Sequence, residues 1–328
     1  MKKALTAAAF GAAVALALVG CTDSAAGPTT APSDSDSGEV RTVRVAALPI
    51  AETGALWAAM EEGIFAEHGL EIEVVPAQGG AQAIPGLLNG DIEFAIGQPF
   101  GPFRAALADL GAPIISNYSS SLGADADKDV NAVVALNSSG IETAADLAGK
   151  RVSVNSLGAA GDVTIMKAVQ DAGGDPSTIE FVEVAFPDAQ AQLEAGTIDA
   201  AWVPDPFMSM VANGEGRIVI HPYQETIPEL ALLTNITTQK LIDEDPELVK
   251  AYAEAMAEAL DWAQANPDAV RAAIVENMGI PEAAAAGITL PTFTAKLDEA
   301  NVTSLAELGV EFGVLPEMPD FGKLINLQ

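Results

Sequence analysis

The chain has 328 residues, a formal net charge of −31, 15 Lys and Arg against 46 Asp and Glu, two histidines and one cysteine. That length is enough for two lobes or one large α/β domain, and so acidic a surface repels nucleic acid and anionic lipid headgroups. One thiol excludes a disulfide framework, and His68 and His221 stand in no metal-ligand spacing, so neither cofactor nor metal is expected.

The chain begins with Lys2 and Lys3, followed by the apolar stretch Ala4 to Gly20. That stretch is marginal for a bilayer span, and Thr22-Asp23-Ser24 gives it no basic flank. This is the layout of a secretory signal over residues 1–20. Leu18-Val19-Gly20-Cys21 resembles a bacterial lipobox. The resemblance implies that the Cys21 thiol receives a diacylglyceryl group and holds the protein on the outer face of the cytoplasmic membrane. Residues 21–40 are small, polar and acidic, too poor in apolar side chains to fold, and read as a flexible tether.

From Arg41 the pattern alternates. Val43 to Leu48 reads as a strand, Gly54 to His68 as a helix, or a helix with a break at Gly63, and Ile72 to Pro76 as a strand. Gln82 to Leu88 reads as a helix, Ile92 to Ile96 as a strand, Phe103 to Leu110 as a helix, and Pro113 to Tyr118 as a strand. A second series opens with strand Asn131 to Ala135. Short helix Ala144 to Ala148, strand Arg151 to Val154 and helix Asp162 to Ala172 follow. Ile179 to Val184, Ala189 to Ala195, Ala200 to Val203, Phe207 to Val211 and Arg217 to Ile220 continue the alternation. After Pro222 come two alanine-rich helices, Pro246 to Asn266 and Pro267 to Met278, with Asp245 and Asn266 placed as their caps. The spacing predicts an α/β protein of two lobes, each a doubly wound, mostly parallel sheet.

An internal echo supports the duplication. Leu87 to Ala95 (LLNGDIEFA) lies over Leu193 to Ala201 (LEAGTIDAA); each ends a helix at glycine, then places Ile and an acid at a strand start.

Leu56 to Leu70 (LWAAMEEGIFAEHGL) resembles the helix that runs into the second strand of the nitrate/sulfonate/taurine-type solute-binding proteins. Ile84 to Glu93, Ala145 to Val152, and Leu193 to Ala200 with Asp205-Pro206 fit the same family in the same order. The resemblance implies a two-lobed clamshell of the type II periplasmic-binding-protein kind, with ligand in the cleft. It implies lobe 1 over residues 41–122 plus 232–328 with a helical C-terminal portion, lobe 2 over 131–222, and crossovers at 123–130 and 223–231. Relatives in that family bind alkanesulfonates, taurine, nitrate or pyrimidine precursors of thiamine.

In doubly wound sheets the ligand lies beyond the carboxyl ends of the strands. That rule selects the loops 49–57, 78–81, 97–100, 119–122, 156–162, 186–188 and 202–207, and within them Glu52, Thr53, Trp57, Gln78, Gly79, Gly80, Gln98, Pro99, Ser119, Ser120, Ser156, Gly158, Gly161, Asp188, Trp202 and Asp205. None of the 15 Lys and Arg residues falls in these loops, whereas Glu52, Asp162, Asp188 and Asp205 do. That asymmetry weighs against a multiply charged anion, and favours a neutral, zwitterionic or singly charged ligand able to stack on Trp57, Trp202, Phe100 or Phe207. Asp162 and Asp188 also suit helix caps, Trp57 shares a helical core stripe with Met60 and Ile64, and Asp205 suits either a structural or a binding role.

The expected function, by family resemblance, is capture of a small organic ligand (a sulfonate, a nitrogenous heterocycle or a small aromatic acid) in the interlobe cleft and delivery to an ABC permease with its ATPase. The expected protein is a monomer, touching the membrane through its N-terminal lipid only and binding no nucleic acid. The alternative is an enzyme on the same fold, resembling the thiamine-pyrimidine synthases that use an internal lysine and histidine. No G-x-S-x-G, P-loop or H-E-x-x-H pattern supports it.

Overall fold

A computed structural model describes residues 40–77 and 79–328, which belong to one compact unit. Cys21, the tether before Val40 and Gln78 lie outside the described residues. Eleven strands are present among those described. They are β1 Arg41–Ala47, β2 Leu70–Pro76, β3 Phe94–Gly97, β4 Ile114–Ser120, β5 Asn131–Leu136, β6 Arg151–Val154, β7 Glu180–Glu183, β8 Ala200–Pro204, β9 Gly216–Ile220, β10 Ala231–Ile236 and β11 Thr292–Phe293.

They form two sheets, ordered β11-β4-β10-β3-β1-β2 and β7-β6-β8-β5-β9. β1 pairs in parallel with β2 and β3, as β6 does with β7 and β8. In the first sheet β10 lies antiparallel between β3 and β4 and β11 antiparallel to β4; in the second β5 lies antiparallel between β8 and β9. The sheets are therefore mixed, although most strands in each share one direction. Neither β10 nor the short edge strand β11 is apparent in the sequence pattern. β11 covers the free edge of β4, Phe293 pairing with Ser119 and Thr292 with Ser120, which keeps that edge from pairing with another chain.

The sequence echo has a structural counterpart in the two sheets. In the first, Arg44 on β1 forks onto Glu93, with Nη2 to Oε1 at 2.6 Å and Nε to Oε2 at 3.2 Å, and also donates from Nη2 to the Gly90 carbonyl at 2.9 Å. In the second, Arg151 on β6 forks onto Asp199 at 2.8 and 3.1 Å and donates to the Gly196 carbonyl at 2.9 Å. Both glycines end their helices with positive φ, 77° and 67°. Each carboxylate also accepts the backbone N–H of its arginine, at 2.8 and 2.9 Å. Glu93 and Asp199 are held below their usual values by these bonds, although burial opposes the shift and outweighs any single bond at Glu93.

Helix Gly54–Glu62 ends at Gly63, in the left-handed region, and resumes as Ile64–Glu67, so of the two readings the broken helix is present. It packs against helices Pro246–Ala265 and Pro267–Met278. Tyr252 on the former stacks on Phe94 at 3.7 Å and donates from its hydroxyl to Asn235 Oδ1 at 3.0 Å. Burying such aromatic side chains contributes about 1.5–3 kcal/mol each. Asp245 caps the first of these helices by accepting from Leu248 N at 3.1 Å. Asn266 does not cap the second; its amide donates back to the Trp262 carbonyl at 2.8 Å and so closes the preceding helix. The helix expected at Phe103 to Leu110 spans Phe100–Leu107, because Pro99 and Pro102 suit a first turn, where a missing N–H costs nothing.

Candidate ligand-binding site

The two sheets face each other across a cleft closed by hydrogen bonds between them. Gln98, just after β3, donates from Nε2 to Tyr223 Oη at 3.1 Å and accepts from Ala160 N at 3.4 Å. Asn131 Nδ2, at the start of β5, donates to Glu52 Oε1 at 2.5 Å. Ala51 N donates to the Asp205 carbonyl at 3.2 Å, and Arg104 Nη2 donates to the Gly158 carbonyl. The space enclosed is about 30 Å³, room for little more than one water molecule. In this arrangement the space admits no organic solute.

The lining joins both sheets. From the first come Leu48, Ile50, Glu52, Gly79, Gly80, Gln98, Phe100 and Leu233; from the second come Asn131, Asn155, Ser156, Phe186 and Trp202. Trp202 stands edge-on to Tyr223 at 5.6 Å and tilted against Phe186 at 5.7 Å, while Phe186 stacks on Phe207 at 6.2 Å. Gly161 lies beneath the indole, where a Cβ would sit 3.1 Å from ring carbons. The Trp202 Nε1–H is buried without a hydrogen-bond acceptor. Gly80 and Gly97 touch so closely that a side chain on either would meet the other's backbone. That contact seats the Gly80–Asn89 helix directly on the end of β3.

The electrostatics are dominated by buried acids, with Arg104 at the margin. Among the described residues no lysine or arginine lines the cavity. Burial pushes the Glu52 carboxyl up to about 8, with Asp129 and Asp205 adding like charge and the Asn131 amide opposing. Glu52 is therefore mostly neutral at pH 7. Burial also pushes Asp162 up to about 6, against the bond it accepts from Gly158 N at 2.6 Å and the nearby Arg104 charge. Burial lowers the Arg104 guanidinium's value in turn, with Asp162 opposing.

Seven of the 16 expected positions, Glu52, Gly79, Gly80, Gln98, Ser156, Trp202 and, beneath the indole, Gly161, meet at this cavity. Gln78 lies outside the described residues, and the other eight lie elsewhere. Thr53 is buried with its hydroxyl within 2.6 and 2.7 Å of the Leu48 and Ile50 carbonyls, shaping the turn that presents Glu52. Trp57 is in the lobe core, as its helical stripe allowed. Pro99 begins a helix, and Gly158 carries the Arg104 contact. Ser119 and Ser120 are in β4 itself, beneath β11, rather than in a loop. Asp188 is exposed and caps nothing, whereas Asp162, in the first turn of helix Ala160–Asp171, accepts from the backbone that leads into it, as a capping role requires. Asp205 is buried, accepting from Ser209 N at 3.1 Å and Thr289 N at 3.3 Å.

Sequence reasoning missed Asn131, Asn155 and Leu233; Phe186 fell in a selected loop, 186–188, without being singled out. Asn131 and Leu233 belong to antiparallel strands, β5 and β10. Such strands bring other parts of their length to the ligand face, so a rule based on carboxyl ends passes over them. Asn155 directly follows β6, one residue before the loop that the rule selected.

A family model described as NMT1/THI5 like matches residues 51–270. The formylaminopyrimidine-binding protein of Halalkalibacterium halodurans is 25% identical over 244 residues, 73% of this chain and 71% of that one. A Brachyspira hyodysenteriae protein, provisionally named an ABC transporter periplasmic binding protein, is 26% identical over 243 residues, 71% of this chain and 68% of that one. The alkanesulfonate-binding protein SsuA from Xanthomonas axonopodis pv. citri, solved with MOPS bound, superposes with a TM-score of 0.73 at 16% identity. The match covers 89% of this chain and all of that one, and at that identity it establishes the periplasmic-binding-protein fold alone.

Proposed function

The chain belongs to the NMT1/THI5-like family, and we propose that it is an extracytoplasmic solute-binding lipoprotein that captures a small organic molecule between its lobes for an ABC importer. Lobe 1 is residues 41–122 with 232–328, lobe 2 is residues 131–222, and residues 123–130 and 223–231 are the crossovers that flex. The chain is anchored through Cys21, works as a monomer and hands its ligand to a permease and its ATPase. The names of the two relatives support the transport role, and the lipobox-like Leu18-Val19-Gly20-Cys21 supports the anchor.

The observation that carries the ligand class is the cavity lining. It offers aromatic faces from Phe100, Phe186 and Trp202, and hydrogen-bonding side chains from Gln98, Asn131, Asn155 and Ser156. Glu52 adds a buried carboxyl, and no described lysine or arginine lines the cavity; Arg104 stands over the Phe100 ring and donates to the Gly158 carbonyl. A sulfonate buried there would have no counter-charge, at a cost of several kcal/mol. A flat, uncharged nitrogen heterocycle can stack on the rings and bond through its edge. Of the three classes that the family resemblance suggests, the lining favours this one over sulfonates and small aromatic acids.

Binding without chemistry is the better reading. The synthase alternative needs a lysine and a histidine at the ligand. His68 pairs with Glu258 at 2.8 Å on the surface, and His221 Nδ1 contacts the Asn131 carbonyl at 2.7 Å outside the cavity. A thermal-shift screen of residues 41–328 against aminopyrimidines, alkanesulfonates and benzoates tests the proposal, since a ligand that binds only the folded state raises Tm. Stabilisation by an aminopyrimidine without turnover supports it; stabilisation by sulfonates alone, or conversion of the ligand, contradicts it.

A further inference from the structure

Glu52 is 5% exposed and sits on the Ala51–Thr53 turn, on the lobe 1 wall of the cavity. Its partner across the cleft, Asn131, is a neutral amide and cannot balance a negative charge. The other titratable groups around it offer no balance either. The Asp129 and Asp205 carboxyls add like charge. The Tyr118 and Tyr223 phenols are buried, and burial raises both above their ordinary value. His221 contacts the Asn131 carbonyl, and its charge acts on Asp129, not directly on Glu52. When the lobes part, the Glu52 side chain returns to water, where an ionised carboxylate is at ease. Closing the cleft moves the same group into a cavity lined by Phe100, Phe186 and Trp202.

We propose that closure of the cleft is coupled to protonation of Glu52, so that the protein closes around an uncharged solute bearing an acceptor atom and takes up one proton as it does so. This rests on the reading of the cleft as a ligand site. The neutral acid keeps its Oε1 bond from Asn131 and gains an O–H with which to meet a ring nitrogen or carbonyl. Burial raises Glu52 from 4.5 to about 8, so the closed form holds a proton that the open form lacks between those values. Closure is then most favoured in acid, weakens as pH rises, and levels off above about 8. Asp162, pushed up to about 6 on the opposite lobe, responds lower in the range, so a variant at Glu52 is needed to separate the two.

The test is small-angle X-ray scattering of the full chain at pH 6 and pH 9, for wild type and Glu52→Gln. The amide keeps the shape of the side chain and cannot ionise. The expected result is a smaller radius of gyration at pH 6 than at pH 9 in wild type, and one compact radius at both pH values in Glu52→Gln. A wild-type radius that ignores pH, or a change that persists in Glu52→Gln, overturns the proposal. The capture reading fails separately: a Glu52-dependent change in radius stands even if the thermal-shift screen finds no ligand. Conversely, an aminopyrimidine that binds wild type with pH-independent affinity leaves capture intact and overturns the coupling.

Discussion

Glu52 Oε1 accepts from Asn131 Nδ2 at 2.5 Å, which ties the turn after β1 to the first residue of β5. The bond crosses the mouth between the two sheets and is buried. It brings together the one carboxyl that lines the cavity and a residue next to the crossover, so closure and ligand chemistry meet at one pair.

Glu52→Gln should stabilise the fold in a pH-dependent way. Unfolding returns the carboxyl to its ordinary value near 4.5, whereas the closed fold holds it near 8. The wild-type contribution is therefore lost as pH rises between those values. The Tm of the variant relative to wild type should be similar near pH 4.5 and should climb toward pH 8, by an amount equivalent to roughly a few kcal/mol at most. A Tm difference that stays constant across this range would mean that Glu52 is ionised in the fold.

Gln98→Ala and Asp205→Ala should part ways. Gln98 spans the cleft to Tyr223 and Ala160, with bonds that exist only when the lobes close. Its loss should weaken ligand binding about tenfold with little change in Tm. Asp205 instead ties Ser209 N to Thr289 N. Its loss should cost about 1–3 kcal/mol of stability and leave affinity within about twofold. Calorimetric affinities and melting curves on both variants check the split.

Gly161→Ala should disturb the cavity wall. The new methyl would stand 3.1 Å from the Trp202 ring, which Phe186 and Tyr223 already hem in. Overpacking of this kind costs about 1–3 kcal/mol. The near-ultraviolet circular dichroism of the indole should change and ligand affinity should fall; an unchanged spectrum would show that the wall yields without moving Trp202.

Cys21→Ser should release the protein from membranes, because the acyl chains on that thiol are the proposed anchor. Cell fractionation decides it: a serine variant that is processed normally and still pellets with membranes contradicts the lipoprotein reading.

Much of the architecture was legible because local chemistry and topology agree. Glycines at Gly63, Gly90 and Gly196 stop helices where the pattern stops, and the echoed acids Glu93 and Asp199 serve equivalent arginines in the two sheets. What escaped depends on contacts distant in sequence. β10 is flanked by no strong turn signal, and its identity comes from insertion between β3 and β4. Ser119 and Ser120 read as loop residues because the strands that pair with them, β10 and β11, lie far away in sequence. The cavity was legible where parallel strands deliver loops, at Gly79, Gly80, Gln98 and Ser156. It was not where antiparallel strands contribute Asn131 and Leu233.

The central claim is capture of an uncharged heterocycle in the closed cleft. Isothermal titration calorimetry of residues 41–328 with 4-aminopyrimidine and with ethanesulfonate, at pH 6.5, tests it most directly. The account predicts saturable one-to-one binding of the aminopyrimidine, weakened about tenfold by Gln98→Ala, and no measurable heat of binding from the sulfonate. Tight binding of the sulfonate with none of the aminopyrimidine would contradict it, since the buried Glu52 wall would then have to tolerate an anion without a counter-charge.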